Sequence, residues 1–318
     1  MACCFKMEEK HQVNHEFMEN GRKLLEELIT TCDGRCNIPL RTFSYKDIWQ
    51  ATNNFDRSRI VSFEPDFTLY QGFMEGRPVS IKTYKNVPAR WRFGASPFTD
   101  IAIGAQMSVH KNVLKLIGCC LKFEHPILVH EFTSNHKLLN DYISKPQDSQ
   151  LPSWKFRIKI ALDIANAVAY LHSTVLSRPV IHRDLTLRNI VIVVDQSSYL
   201  AKLTNFSYCL SIPDGETHLK LDTVTGTSYF LAPEYASDGY LTEKSDVYAY
   251  GVLLFCILTG RQPGKFFRDK DESHSLSSLF WILLILLCCK KELRRGSCEI
   301  LQNYHKDVLV LMQKTDQL

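Results

Sequence analysis

Ile181-His182-Arg183-Asp184-Leu185-Thr186-Leu187-Arg188-Asn189 gathers a histidine, two arginines, a carboxylate and a carboxamide into nine residues, and Asn205-Phe206-Ser207 follows downstream. Around that stretch, the chain has 318 residues, 45% hydrophobic and 23% charged, enough apolar material for a sizeable core and too much for a disordered chain. The length fits a two-lobed domain with a short N-terminal extension. A net charge of +4 is mild and gives no reason to expect a nucleic-acid partner. The 11 cysteines stand at positions 3, 4, 32, 36, 119, 120, 209, 256, 288, 289 and 298. An odd count, three adjacent pairs and no secretory apolar segment favour reduced thiols in a cytosol over a disulfide framework.

His182-Arg183-Asp184-Leu185 with Asn189 has the H-R-D-L-x-x-x-N spacing of the catalytic loop in protein kinases, and the chain resembles that family. Other signatures occur in the matching order: Val79-Ser80-Ile81-Lys82, Ala232-Pro233-Glu234 and Lys244-Ser245-Asp246-Val247-Tyr248. Any one tetrapeptide is weak, and the ordered series is specific. Upstream, Arg41-Thr42-Phe43-Ser44-Tyr45 and Ala51-Thr52-Asn53-Asn54-Phe55 are similar to the entry segment of plant receptor-like kinases and their cytoplasmic relatives. The resemblance runs to about Pro263. It implies an α+β, bilobal kinase-like fold: an extension over 1–40, a β-rich N-lobe over 41–133, and a helical C-lobe over 134–318 that is atypical after about 263.

Phosphoryl transfer needs a carboxylate at the acceptor hydroxyl and anionic ligands that hold magnesium against the phosphates. By resemblance, Asp184 supplies the first, and Asn189 is one metal ligand. The second metal ligand should be the Asp of D-F-G, and here it is Asn205, which can coordinate through its amide oxygen but brings no negative charge. A nucleotide loop reads G-x-G-x-x-G because glycines let the backbone fold closely over a triphosphate. In Val61–Tyr70 those positions hold Ser62, Glu64 and Phe67, Pro65 removes an N–H, and Glu64 and Asp66 place negative charge where phosphates would sit. The segment is compatible with a β-hairpin and poor as a phosphate cradle.

Lys82 keeps the place of the lysine that steadies the α- and β-phosphates. Its helical partner, normally Glu, is matched best by Asp100, one methylene shorter, so that pairing requires the helix to shift inward. Gly104, four residues on, weakens that helix by about 1 kcal/mol; it either leaves a packing gap or permits close packing. Glu131 and Phe132, beside the boundary between the lobes, complete the candidate nucleotide-binding set with Lys82 and Asp100. Thr186 stands where a lysine is expected, and Arg188 is a candidate replacement. Together these changes imply weak ATP binding and compromised binding of Mg²⁺ or Mn²⁺. His182, Arg183 and Asp246 also have scaffold roles, Asp246 by accepting hydrogen bonds from the catalytic-loop backbone. Their presence therefore shows that the scaffold is kept, not that catalysis is.

At the N-terminus, Phe17, Leu24, Leu25, Leu28 and Ile29 recur near helical spacing between Glu16 and Cys32, which predicts an amphipathic helix packed on the following domain or gripping a partner. Cys32-Asp33-Gly34 and Pro39 end it. Cys32 and Cys36 are either half a zinc site or ordinary packing and surface thiols. Met1-Ala2-Cys3-Cys4 excludes myristoylation and leaves palmitoylation of Cys3 or Cys4 open, so membrane contact is allowed and not required. Leu279 to Cys289 is apolar throughout; as a helix it spans ~16 Å, too short to cross a bilayer and suited to a buried or interfacial position. No Arg-Pro follows Glu234, so Arg294 or Arg295 is its candidate partner.

The lost glycine loop, Asn20-Gly21 with Leu24-Leu25-Glu26-Glu27-Leu28, and Met107-Ser108-Val109-His110-Lys111-Asn112-Val113 through Cys119-Cys120 are similar to the ZED-related subgroup of receptor-like cytoplasmic kinases. Members of that subgroup are often pseudokinases that act as adaptors. The resemblance implies partners among NLR-type plant immune receptors and other receptor-like cytoplasmic kinases, and a cytoplasmic or plasma-membrane-associated setting. It makes Thr217, Thr223, Thr225 and Ser228 candidate modification sites. A weakly active serine/threonine kinase using ATP is the alternative, and a truncated gene product without function is a third reading.

Overall fold

The computed structural model describes residues 2–32, 34, 40–85, 94–132, 136–144, 153–173, 178–195 and 198–266. They fall into two compact units: Met1–His136 with Asn205–Cys209, and Lys137–Thr204 with Leu210–Leu318. The first is rich in β-sheet and the second in helix, the fold of a protein kinase preceded by a helix.

In the first unit, β1 (Arg41–Thr42), β2 (Ile60–Phe63), β3 (Phe67–Met74), β4 (Arg77–Tyr84), β5 (Leu116–Cys120) and β6 (Ile127–Glu131) form one sheet in the order β1-β5-β6-β4-β3-β2. The β2–β3–β4 meander is antiparallel, with Phe67 opposite Tyr84 and Leu69 opposite Lys82. Side chains alternate across the sheet. Ile81, Ile127 and Val129 join Phe43, Ile48 and Ala51 in one buried cluster, while Leu128 joins Ile101, Ala105 and Leu116 in another.

Three helices flank that sheet. α1 (Ala2–Cys32) is longer than its apolar repeat suggests, and it packs on the domain as expected. Leu24, with Phe17 and Leu28, enters the cluster built on Ile101 and Leu128. Glu27 accepts a 2.9 Å hydrogen bond from the Thr99 hydroxyl, and the Asn20 amide donates to the carbonyls of Leu121 (3.0 Å) and Phe123 (2.7 Å). Leu25 and Ile29 remain exposed. α2 (Tyr45–Ala51) starts in a capping box, Ser44 accepting from Asp47 N–H and Asp47 accepting from Ser44 N–H, which gives the F-S-Y entry segment a physical role. α3 (Pro97–Met107) has Ser96 as N-cap and Pro97 in its first turn.

The second unit holds β7 (His136–Leu138) from Lys137 on, α4 (Leu139–Ser144), α5 (Trp154–His172), β8 (Val180–Ile181), β9 (Ile190–Asp195), β10 (Ser198–Leu203), β11 (Leu210–Ser211), β12 (Leu219–Lys220), α6 (Pro233–Asp238), β13 (Tyr240–Leu241), α7 (Glu243–Thr259) and α8 (Pro263–Phe266). The catalytic loop runs between β8 and β9, and β10 pairs antiparallel with β9, so Ile190 faces Leu203 just before Asn205. α7 is capped by Thr242 and buried along most of its length, and it packs against α5, where the Tyr250 hydroxyl donates to Ala161 O at 3.0 Å. Among the described residues, no helix is long and apolar enough to cross a membrane. Cys36, Leu279 to Cys289, Arg294 and Arg295 lie outside the described residues. Glu234 is exposed, so it is not a buried charge in need of a partner.

Candidate functional site

In the first unit the site centres on Lys82, whose side chain is 3% exposed. β4 aims it toward α3, where Asp100 Oδ2 lies 2.6 Å from Nζ, so the shorter carboxylate does reach its partner. Asn205 Oδ1 accepts a second bond from Nζ at 2.7 Å. The Phe67 and Tyr84 rings stand with their centroids 4.2 and 4.8 Å from the same nitrogen, placing the cation against two aromatic faces. Asp100 is itself fully engaged. Oδ2 also accepts the Tyr84 hydroxyl at 2.5 Å, and Oδ1 accepts the backbone N–H of Phe206 at 2.7 Å. Burial opposes its ionisation, but the Lys82 charge and these hydrogen bonds hold its carboxyl below the usual range.

The Asn205–Cys209 segment is bound into this unit by more than Asn205. Ser96 N–H donates to Ser207 O at 2.8 Å, the Ser207 hydroxyl donates to Asn205 Oδ1 at 2.8 Å, and the Tyr208 hydroxyl donates to Asp66 Oδ2 at 2.6 Å. Asn205 sits in the left-handed region at φ +66°, which Asn tolerates better than most residues. Gly104 faces the same place. A Cβ there would lie 3.6 Å from the Phe206 ring, 3.9 Å from Leu116 and 4.0 Å from Asp100 Oδ1, ordinary contact distances, so the helix has room for a methyl group.

His130 on β6 is buried in this neighbourhood. Burial pushes its imidazole down to about 4, and the nearby Lys82 charge works in the same direction, with Asp100 opposing. Glu131 closes the end of the β5–β6 pair: its N–H donates to Lys115 O and its carboxylate accepts Lys115 N–H, both at 3.0 Å. Phe132 follows, half-buried.

The second unit carries the other half of the motif set. Asp246 on α7 accepts the backbone N–H groups of His182 (2.7 Å) and Arg183 (3.0 Å), and His172 Nε2 lies 2.8 Å from its Oδ2. Burial alone would raise the Asp246 pKa; the His172 hydrogen bond and charge, with the His182 backbone, hold it below the ordinary value. These bonds support Arg183 at φ +67°, a conformation disfavoured for a residue with a Cβ. The Arg183 guanidinium donates to the Thr225 hydroxyl and, at 2.9 Å, to the Tyr235 hydroxyl. Both Asp184 oxygens are engaged: Thr227 OH donates to Oδ1 at 2.8 Å, and Asn189 Nδ2 donates to Oδ2 at 2.7 Å and to Asp184 O at 2.7 Å. Arg188 is exposed, and Thr186 is buried. Of the candidate modification sites, Thr217, Thr223 and Ser228 are exposed, whereas Thr225 is buried and hydrogen-bonded through its N–H to Tyr235 OH at 3.0 Å.

Lys82, Asp100 and Asn205 thus come together in one unit, and Asp184 and Asn189 in the other. A metal does not fit Asn205 as it stands: its oxygen is neutral and accepts from both an ammonium and a hydroxyl. Among the described residues, no group of three or more His, Cys, Asp or Glu side chains is arranged to hold a metal. The sequence reading missed Tyr84, Tyr208 and His130. A signal existed for His130, which β6 alternation places on the Leu128 side of the sheet, with Leu128 opposite Lys82 and His130 opposite Ser80.

The protein kinase domain family matches residues 69–315, and the chain belongs to that family. Serine/threonine-protein kinase ZRK4 of Arabidopsis thaliana is 43% identical over 256 residues, covering 78% of this chain and 66% of ZRK4. Non-functional pseudokinase ZED1 of the same plant is 42% identical over 260 residues, 80% of this chain and 73% of ZED1. Non-functional pseudokinase ZRK2, also from Arabidopsis thaliana, is 37% identical over 265 residues, 82% of this chain and 72% of ZRK2. The chain spans about two thirds to three quarters of the length of these relatives. Within the kinases it falls in the ZED-related subgroup, whose members carry both kinase and pseudokinase names. Kinase domains bind ATP in general.

Proposed function

We propose that this protein is a catalytically impaired kinase-like adaptor in plant immune signalling, which binds an NLR-type receptor and senses effectors or effector-modified kinases. The observation that carries the first half is the state of Lys82. Its ammonium is buried between the Asp100 carboxylate and a neutral Asn205 oxygen, with the Phe67 ring against it. A lysine committed in this way supports the fold of its own unit, and an uncharged metal ligand beside it leaves the charge of a transferring phosphoryl group poorly neutralised. The adaptor half rests on the resemblance to ZED1 and ZRK2, and function then lies in surfaces. The setting proposed is cytoplasmic, with acylation of Cys3 or Cys4 as an optional tether. Thr217, Thr223 and Ser228 are the surface positions where a modification would change the charge of the segment that carries them.

A weakly active serine/threonine kinase is the second reading, favoured by the retained Asp184–Asn189 pair and by the kinase name of ZRK4. Asp184→Ala separates the two. An adaptor keeps its co-purification with an NLR-type receptor and its output in plant cells when Asp184 is lost. Loss of output with receptor binding intact would mean that phosphoryl transfer is the function.

A further inference from the structure

Residues 64–67, the turn after β2 and the first residue of β3, are held by several hydrogen bonds, among them one from the Ser62 hydroxyl to the Glu64 carboxylate at 2.8 Å. Glu64 N–H donates to Phe67 O at 3.0 Å, which closes the hairpin. Lys85 N–H donates to Asp66 O at 2.9 Å, and the Lys85 ammonium donates to Glu64 O. One more bond comes from a segment remote in sequence: the Tyr208 hydroxyl donates to the Asp66 carboxylate at 2.6 Å. Hydrogen bonds to an ionised acceptor are roughly twice as strong as neutral ones.

That fastening fixes what lies next to Lys82. Phe67 is the first residue of β3, directly after Asp66, and its ring stands 4.2 Å from the Lys82 nitrogen. A phosphate oxygen must come to about 2.8 Å of an ammonium to bind it. Two donors of Lys82 already go to Asp100 and Asn205, and the approach is lined by the Phe67 and Tyr84 rings. The turn offers few donors in exchange, since Glu64 N–H is spent within the hairpin and Pro65 has none.

We propose that residues 64–67 act as a built-in stopper on Lys82, latched by the Tyr208–Asp66 bond, and that a nucleoside triphosphate reaches the ammonium only when that latch opens. The proposal rests on the impaired-kinase reading and adds a physical cause for weak nucleotide binding that the missing glycines do not supply. Affinity for a ligand that needs a minor open state is reduced by the fraction of molecules in that state, so removing one charge-assisted hydrogen bond raises it by about tenfold.

The test measures binding of a fluorescent ATP analogue (mant-ATP) to the full chain, with EDTA and with Mg²⁺, for wild type, Tyr208→Phe and Phe67→Gly, each checked by a cooperative melt. Tyr208→Phe keeps the ring and every charge and removes the hydroxyl that donates to Asp66, and Phe67→Gly opens the approach without touching the latch. Both are expected to bind about tenfold more tightly than wild type, and adding Lys82→Ala to Tyr208→Phe is expected to abolish the gain. Equal affinities for wild type and both variants overturn the latch and leave the impaired-kinase reading standing. A gain that persists with Lys82→Ala also overturns it, because binding would then lie elsewhere. A wild type that transfers phosphate yet binds mant-ATP about tenfold more weakly than Tyr208→Phe would sink the impaired-kinase reading and keep the latch.

Discussion

The Lys82 cluster and the catalytic loop start from the same inheritance and have been treated differently. Around Asp246 two backbone N–H groups and a histidine converge on one carboxylate, Arg183 reaches Thr225 and Tyr235, and Asp184 is flanked by Asn189 and Thr227. Around Lys82 the positions that would meet phosphate and metal are rebuilt, with Asn205 for a charged ligand, Asp100 for a longer acid and Phe67 for a glycine. Each replacement is satisfied locally, so the cluster holds together without a nucleotide. The catalytic loop keeps its motif residues, Asp184 and Asn189 among them, whereas the Lys82 cluster keeps its lysine and changes what surrounds it.

Lys82 and Asp246 then do the same kind of work, and their removal should have similar effects. Asp246→Ala strips the acceptor from two loop N–H groups and a buried histidine, and is expected to cost roughly 5 kcal/mol in denaturant unfolding. A loss below about 1 kcal/mol would show that the loop does not depend on it. Lys82→Ala leaves Asp100 buried and without its cation, for an expected loss of about 3–4 kcal/mol. A lysine kept for phosphate alone would instead be replaceable at little cost in stability.

Acid sharpens the contrast between the two units. His130 is neutral when folded and has its pKa depressed to about 4, so between that value and the ordinary 6.5 the unfolded chain binds the extra proton. Stability should therefore fall as pH drops from 6.5 toward 4, by up to roughly 3 kcal/mol, in melts followed across that window. Asp100 and Asp246 also have lowered values. Their contribution is present above the ordinary carboxylate value of 3.8 and is lost only as pH falls through their lower folded values, below the His130 window. His130→Gln should flatten the upper window, and an unchanged slope would show that His130 is not its source. The smallest expected effect has the opposite sign. Gly104→Ala fills space at ordinary contact distance and should stabilise the protein by about 1 kcal/mol, read from the shift of the unfolding midpoint.

Much of this was legible in the sequence, and the reasons can be stated residue by residue. Ordered motifs separated by fixed spacings carried the fold, because Val79–Lys82, His182–Asn189, Ala232–Glu234 and Lys244–Tyr248 each occupy a constrained place in one architecture. The Lys82–Asp100 pair was visible as well, since both residues stand at known positions on a strand and a helix. What the sequence did not reveal depends on where chain ends of turns arrive in space. Tyr208 meets Asp66 across 142 residues, through the path of the Asn205–Cys209 segment, and no local pattern encodes that path. Phe67 could be seen as a lost glycine, but its ring placement against Lys82 follows from how the 64–67 turn closes. The reach of Asp100 was judged from side-chain length alone, whereas its position also reflects α3 being tied at Ser96 and at Phe206.

On the function proposed above, the chemistry has been lost from a scaffold that remains. The most direct measurement is phosphoryl transfer from labelled ATP by the purified chain with Mg²⁺ or Mn²⁺, beside Asp184→Ala and Lys82→Ala proteins confirmed as folded. The account predicts either no transfer or a trace that the Asp184→Ala substitution leaves unchanged. Transfer by the wild type that disappears in Asp184→Ala would contradict it, and would make this protein a working kinase with an asparagine at its metal site.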